Sequence, residues 1–222
     1  HVVQSGDTLY RIAWRYGRGL KELAAANNID SPYLIVPGQK INLEKSPSYK
    51  EKSLKKKETK QFTKNNVTKS KESVNERKNV TEHKKYKNFK NIKWKWPHLG
   101  PIIAKYYSRS SGNLDGLAQG VPNKGIDISG QLGDPIFAAA DGEVVYAGNG
   151  LLGYGNLVII NHNEHYLSAY AHSRKILVKE GQIIKIGQKI AEMGSSESQQ
   201  VKLHFEIRRD GQPVDPLKYL PK

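Results

Sequence analysis

The fold is decided by the stretch Lys202-Leu203-His204-Phe205-Glu206-Ile207-Arg208, in which polar and apolar side chains alternate. Successive side chains of a β-strand point to opposite faces, so this period of two predicts a half-buried strand. Lys202 and His204 then share one face, and the apolar residues that alternate with them pack inward on the other. The strand therefore predicts a domain with a hydrophobic core beneath a polar surface.

Similar short runs occur on both sides of this stretch, separated by turn-forming pairs such as Asp141-Gly142 and Gly187-Gln188. The runs cover residues 136–139, 143–147, 157–161, 166–172, 183–186 and 189–193. Many short strands at this spacing predict a mainly-β domain, and no helical pattern competes with them. The composition changes abruptly at Trp94, so we place this domain at residues 94–222.

The first 44 residues show a different pattern. Short strands are predicted at residues 2–3 and 39–43, and two helices lie between them. The first helix begins after Asp7 as its N-cap and has apolar residues at helical spacing, namely Leu9, Ile12, Ala13 and Tyr16. The second covers about residues 20–27. This order predicts a small α+β module of the βααβ type over residues 1–44.

Residues 45–93 carry most of the charge of the chain. They contain 17 Lys and Arg against 5 Glu, a net charge of +12 out of the formal +15 of the whole chain. Isolated apolar residues without a period predict a disordered linker, extended by its own charge. One interpretation is that the linker is only a solvated spacer. The other is that its Lys residues also bind anionic wall polymers or membrane surfaces. We do not expect nucleic acid as a partner, because no folded basic and aromatic face accompanies the charge.

Other classes are excluded by composition. The chain has no cysteine, which excludes disulfides and thiolate metal sites. No run of about 18 apolar residues exists, so we expect no transmembrane segment in this chain. The sequence opens at His1 without Met and without an apolar signal region, so we expect a processed or trimmed form in which any upstream targeting signal or lipid-bearing Cys is not seen.

The first segment resembles a LysM module. The resemblance rests on Val2-Val3-Gln4-Ser5-Gly6-Asp7-Thr8-Leu9, on residues 24–28 and on Leu34-Ile35-Val36-Pro37-Gly38-Gln39. It implies a groove for N-acetylglucosamine-containing glycans between two loops. Amides, a carboxylate and apolar side chains suit a sugar. The implied glycan-binding residues are Gly6, Asp7, Thr8, Leu9, Ile29, Pro32, Tyr33, Leu34 and Ile35.

The second segment resembles the lysostaphin/LytM-type zinc peptidases of bacterial cell walls. Its landmarks include Gly125-Ile126-Asp127-Ile128, Gly153-Tyr154-Gly155-Asn156 and Tyr170-Ala171-His172. The resemblance implies that Asp127 and His204 are retained zinc-ligand positions and that His172 is a retained catalytic position. Asn123 stands where the third ligand, a His, is expected, and Lys202 stands where a further catalytic His is expected.

These two replacements predict loss of metal and of catalysis. A catalytic zinc takes three protein ligands and leaves a position for water, whereas Asp127 and His204 supply two. The ammonium of Lys202, about 5 Å away, would repel the ion by several kcal/mol at an effective dielectric of about 20. We therefore expect no cofactor, no metal site and no catalytic residue.

The altered groove remains a candidate partner-binding site. Tyrosine suits surfaces at which its ring is buried and its hydroxyl contacts water. The groove residues are Asn123, Asp127, Tyr154, Tyr170, His172, Lys202 and His204. The alternative is that the surviving polar groups are relics that only hydrogen-bond one another.

The combination of a LysM module, a long tether and a degenerate LytM domain resembles the NlpD-type murein hydrolase activators. It implies a non-catalytic outer-membrane lipoprotein in the periplasm. Its partners would be peptidoglycan and a periplasmic N-acetylmuramoyl-L-alanine amidase, which it would activate in septal peptidoglycan splitting and daughter-cell separation. Two alternatives stay open: an active zinc peptidoglycan endopeptidase and a passive peptidoglycan-anchoring protein.

Overall fold

A computed structural model describes residues 1–30, 33–44, 92–107 and 122–222. The predicted linker lies outside the described residues except for its last two positions, and so does Pro32 of the predicted glycan site. Within the described ranges, no helix is long and apolar enough to cross a lipid bilayer.

The N-terminal module contains helices α1 (Leu9–Arg15) and α2 (Leu20–Ala26). Its ends are joined by a single antiparallel bridge between Val2 and Lys40, which lie in the short strands predicted at residues 2–3 and 39–43. The N-cap is Thr8 and not Asp7, because the Thr8 hydroxyl accepts a hydrogen bond from the Arg11 amide at 3.1 Å. Asp7 instead accepts a hydrogen bond from the Gln4 amide and stabilises the preceding turn.

The core of this module is made by the predicted apolar face of α1, with one correction. Leu9, Ile12 and Ala13 are buried against Leu23 and Ala24 of α2, together with Val3 and Ile41. Tyr16 was predicted to join them and is 42% exposed, whereas Trp14 is 3% exposed. Trp14 points away from the core of its own module and packs on the C-terminal domain.

The C-terminal domain is mainly β, as predicted from the alternating runs. The strands are β1 (Ile102–Ala104), β2 (Ile126–Ser129), β3 (Pro135–Phe137), β4 (Gly142–Gly148), β5 (Asn156–Asn161), β6 (Tyr166–Ser173), β7 (Lys175–Ile176), β8 (Ile183–Ile184), β9 (Lys189–Glu192), β10 (Lys202–Arg209) and β11 (Gln212–Val214). Among the described residues, eight strands form a sheet in the order β1-β2-β10-β6-β5-β4-β8, with β11 also paired to β10. A smaller sheet has the order β3-β9-β7.

Strand β10 lies inside the large sheet between β2 and β6. Leu203, Phe205 and Ile207 are fully buried in the core, so the predicted alternation is confirmed. The antiparallel register sets His204 opposite Asp127 of β2 on one side and opposite Ala171 of β6 on the other. This register places the polar face of β10 next to the carboxylate of β2.

Helix α1 contacts the C-terminal domain directly. The guanidinium carbon of Arg208 lies 3.4 Å from the centre of the Trp14 ring, and its Nη1 donates to the Trp14 carbonyl at 2.8 Å. Tyr154 meets the same ring edge-on. Nearby, Arg11 donates to the carbonyl of Gly150 at 2.6 Å. The N-terminal module therefore packs against one end of the polar face of β10.

Candidate functional site

The floor of the site is built from one face of β10. Because alternate residues share a face, Lys202, His204, Glu206 and Arg208 form one row of charges. Asp127 of β2 lies beside the first two. Only the first two positions of this row were assigned to the groove from the sequence, although the same alternation also places the other two there.

Asp127 is held by two cations. Lys202 Nζ is 2.7 Å from one carboxylate oxygen, and His204 Nδ1 is 2.7 Å from the other. Burial alone would raise the pKa of Asp127, but the hydrogen bonds from His204 and Lys202 outweigh it and lower the pKa. Both oxygens of this carboxylate are therefore engaged by hydrogen-bond donors.

His204 lies between two carboxylates. Its Nδ1 faces Asp127, and its Nε2 is 3.2 Å from Glu206 Oε1. Burial would lower its pKa, but the hydrogen bonds to Asp127 and Glu206 prevail and raise the pKa to about 9. Since both ring nitrogens face acceptors, both carry protons at neutral pH, and the ring is an imidazolium.

Glu206 and Arg208 extend this chain towards the N-terminal module. Arg208 Nε donates to Glu206 at 2.8 Å, and Tyr154 donates its hydroxyl proton to the same carboxylate at 2.8 Å. Burial would raise the pKa of Glu206, but Arg208 and His204 lower it to about 2. This buried glutamate has a donor on every side, which is the condition under which a buried charge is tolerated.

His172 closes the site from β6. Its ring centre is 6.0 Å from that of His204, and its Nδ1 donates to the carbonyl of Ser196 at 2.8 Å. Burial lowers its pKa, and the positive charges of His204 and Lys202 act in the same direction. His172 also has a φ of +62°, a strained conformation for a residue with a side chain.

Two predicted groove residues have other roles. The Asn123 side chain accepts a hydrogen bond from the Gly125 amide, so it stabilises its own turn. Tyr170 is fully buried in the core, and its hydroxyl is bound to the Ala139 amide and to Ser168. The prediction that Tyr170 lines the groove is wrong, because its side chain points to the inner face of β6. Tyr154 does reach the site, where it contacts His204.

A zinc ion does not fit this donor set. A ligating imidazole must offer a free nitrogen, whereas both nitrogens of His204 are used by carboxylates. The ammonium of Lys202 is within hydrogen-bonding distance of Asp127, where a cation would have to bind. Within the described ranges, no three His, Cys, Asp or Glu side chains form a group that could hold a metal.

The predicted glycan groove lies on the N-terminal module. Asp7, Thr8, Leu9, Tyr33, Leu34 and Ile35 line one cavity of about 260 Å³. Leu34 is 78% exposed there, whereas Leu9 is buried in the core and Ile29 packs against that core. Gly6 has a φ of +83°, which allows the turn before α1. The two loops named from the sequence therefore meet, and Leu34 is the most exposed apolar side chain among their described residues.

Comparison with known proteins agrees with the family resemblance of both the N-terminal and the C-terminal segment. Residues 1–43 match the LysM domain, and residues 121–216 match peptidase family M23. The solved structures that resemble the chain include a zinc-containing peptidase from Vibrio cholerae. That protein is 32% identical, with a TM-score of 0.51, over 58% of this chain and 41% of its own.

Some relatives match over the whole length of the chain. A lipoprotein NlpD/LppB homolog of Pseudomonas aeruginosa is 44% identical over 100% of this chain and 77% of its own length. The lipoprotein YgeR of Escherichia coli is 44% identical over 100% of this chain and 80% of its own. The murein hydrolase activator NlpD of Escherichia coli is 36% identical over 100% and 68%. The chain therefore belongs to the NlpD/LppB family and carries a LysM domain followed by a domain of peptidase family M23.

Proposed function

We propose that this protein is a non-catalytic activator of a periplasmic N-acetylmuramoyl-L-alanine amidase, acting in septal peptidoglycan splitting and daughter-cell separation. Its membership of a family that includes murein hydrolase activators gives it a peptidoglycan-related activator role in the cell envelope. The amidase as partner, the septal role and the absence of catalysis are the further steps of the proposal.

The observation that carries the proposal is the series of paired charges formed by β10 and Asp127 of β2. Hydrolysis by a zinc peptidase needs a metal-bound water that loses its proton. Here the two retained ligand positions, Asp127 and His204, are tied up in the series Lys202–Asp127–His204–Glu206, with each link at 3.2 Å or less. These paired charges can recognise a partner protein, but they have no means of activating water.

The groove can act on a partner only through differential binding. A ligand shifts a conformational equilibrium when it binds one state better than the other. An amidase segment that enters the groove meets Lys202, whose side chain is 19% exposed, beside His204 at 13%. We therefore assign the docking of the open amidase to the Lys202 end of the row, because Trp14 covers the Arg208 end.

The LysM domain supplies the second part of the function, which is concentration of the protein on peptidoglycan. Leu34 and Val36, before the Pro37-Gly38 turn, are exposed apolar side chains. Such side chains suit the methyl group and ring face of an N-acetylated sugar.

The test is release of dye from labelled sacculi by this protein alone, by each of several purified periplasmic amidases alone, and by both together. The proposal predicts release only by the pair. Release by this protein alone that stops with a chelator would establish a zinc endopeptidase. Binding to sacculi without stimulation of any amidase would establish a passive anchoring protein.

A further inference from the structure

The cavity on the LysM domain has a second wall that comes from the M23 domain. Opposite the LysM loops, it is lined by Glu143 and Val145 of β4 and by Glu180 before β8. The side chain of Tyr10, on helix α1, also lines it. The candidate saccharide groove is therefore lined by residues of both domains.

The two walls have complementary chemistry for a sugar. The LysM wall offers the apolar side chain of Leu34 and the ring of Tyr33, which is held at a φ of +62°. The M23 wall contributes Glu143 and Glu180, and Glu180 also accepts a hydrogen bond from the Ala147 amide at 3.3 Å. Carboxylate oxygens accept hydrogen bonds from sugar hydroxyls and from an acetamido N–H, and they accept more strongly than neutral oxygens do.

Tyr10 lines the same cavity from the N-terminal module and is a neutral donor. Burial raises its pKa, and the nearby charge of Glu143 raises it further. Its phenol therefore keeps its proton at all physiological pH values. A neutral hydroxyl next to a carboxylate can serve a sugar hydroxyl both as donor and as acceptor.

The helix that carries Tyr10 is held on the M23 domain by contacts of two of its other residues, Arg11 and Trp14. Arg11 donates to the carbonyl of Gly150 and lies over the ring of Tyr146, and Trp14 stacks on Arg208. These residues all belong to helix α1 or its immediate partners, so the helix that carries Tyr10 is held on the M23 domain. A ligand in the cleft would touch both domains at once.

We propose that the saccharide site is composite, and that an N-acetylglucosamine-containing chain is bound between the LysM loops and the Glu143–Glu180 edge of the M23 domain. The proposal rests on the peptidoglycan binding proposed above and deepens it. It implies that glycan binding stabilises the docked arrangement of the two domains.

The experiment is calorimetric titration of the full chain with the pentamer of N-acetylglucosamine. The double variant Glu143→Gln/Glu180→Gln keeps the shape of both side chains and removes their charge. We expect about a tenfold loss of affinity or more, since charge-assisted hydrogen bonds are lost. The matched control is Glu192→Gln, a carboxylate of the same domain on β9 that pairs with Lys189 and Arg174, and it should bind as the wild type does.

Each other outcome overturns the proposal in a distinguishable way. Unchanged affinity of the double variant would show that the M23 wall does not touch the sugar. Tighter binding would show that this wall obstructs the LysM groove. If the wild type fails to bind the pentamer, the composite site and the LysM glycan groove both fall, while amidase stimulation is measured separately on sacculi.

Discussion

His204 carries a positive charge because two carboxylates face its two ring nitrogens. Its pKa is about 9, above the ordinary value of 6.5. A raised folded-state pKa contributes stability that is fully present below pH 6.5 and is lost as the pH rises through about 9. The pH dependence of stability therefore tests whether this residue is a cation held in an ion-pair chain.

We predict that wild type and His204→Gln differ most in melting temperature near pH 6, and that the difference shrinks between pH 7 and pH 10. Glutamine keeps a donor towards Asp127 but cannot become a cation. The measurement is thermal unfolding at a series of pH values and constant salt. A difference that stays constant over this range would mean that His204 is neutral in the folded protein.

Substitution of Lys202 tests whether the groove docks the amidase. The ammonium of Lys202 pairs with Asp127 at 2.7 Å. We predict that Lys202→Met reduces amidase stimulation about tenfold or more, because a cation at a recognition site is removed from its partner. The measurement is the amidase concentration dependence of dye release.

The matched control for this prediction is Lys189→Met. Lys189 is an ion-paired lysine of β9, 3.1 Å from Glu192 and outside the groove. The Lys189→Met variant should stimulate the amidase as the wild type does. Equal stimulation by both variants, each folded, would place the docking surface elsewhere on the molecule.

At the scale of single elements, the sequence was most informative about strands and least informative about contacts between domains. The alternation in β10 predicted its two faces, because the period of two directly reflects strand geometry. Tyr170 has the same kind of alternating context in β6, yet it faces the core and its hydroxyl is satisfied by the Ala139 amide. A tyrosine that is both large and polar fits either face, so pattern alone did not decide its side.

The prediction of which aromatic residue of helix α1 is buried is wrong for a similar reason. Helical spacing favoured Tyr16 as a core residue, since it falls at the fourth position of an i, i+3, i+4, i+7 series. Trp14 is buried instead, and its burial comes from Arg208 and Tyr154 of another domain. The sequence of one helix contains no signal for a partner that lies almost two hundred residues away.

We predict that Trp14→Ala lowers the free energy of unfolding by about 3 kcal/mol or more, the usual range for a buried tryptophan. It would also leave the guanidinium of Arg208 without its aromatic neighbour. The control on the same helix end is Tyr16→Ala, which is half exposed and should cost under about 1 kcal/mol. The measurement is urea unfolding, and equal effects of the two substitutions would contradict the packing of α1 on the M23 domain.

At the scale of the whole molecule, two domains of different chemistry share one chain. Their families were recognisable from local motifs such as Gly6-Asp7-Thr8-Leu9 and Gly125-Ile126-Asp127-Ile128, because each motif fixes a local backbone geometry. The cleft between the domains was not predicted. Glu143 and Glu180 lie in ordinary strand and turn patterns, and only the folded chain brings them opposite Leu34.

The division of labour between the domains gives a further prediction. Leu34→Asp should abolish sedimentation with insoluble peptidoglycan, because it places a charge on the exposed apolar loop of the LysM domain. Amidase stimulation in solution should change little. The control is Leu132→Asp, a leucine of the M23 domain that is also exposed, at 61% compared with 78% for Leu34.

Sedimentation should be repeated at high salt, which screens attraction between the wall and the basic residues of segment 45–93. If Leu34→Asp pellets as strongly as the wild type at high salt, peptidoglycan binding does not depend on the LysM loops. If Leu132→Asp also fails to pellet, the loss is not specific to the LysM domain.

The central claim is that paired charges have replaced a zinc site. Its most direct test is the metal content of the purified full chain after incubation with one equivalent of zinc and removal of free metal by gel filtration. The account predicts far less than one zinc per chain, and no change of melting temperature on adding a chelator. One tightly held zinc per chain, with a melting temperature that falls when the chelator is added, would contradict it.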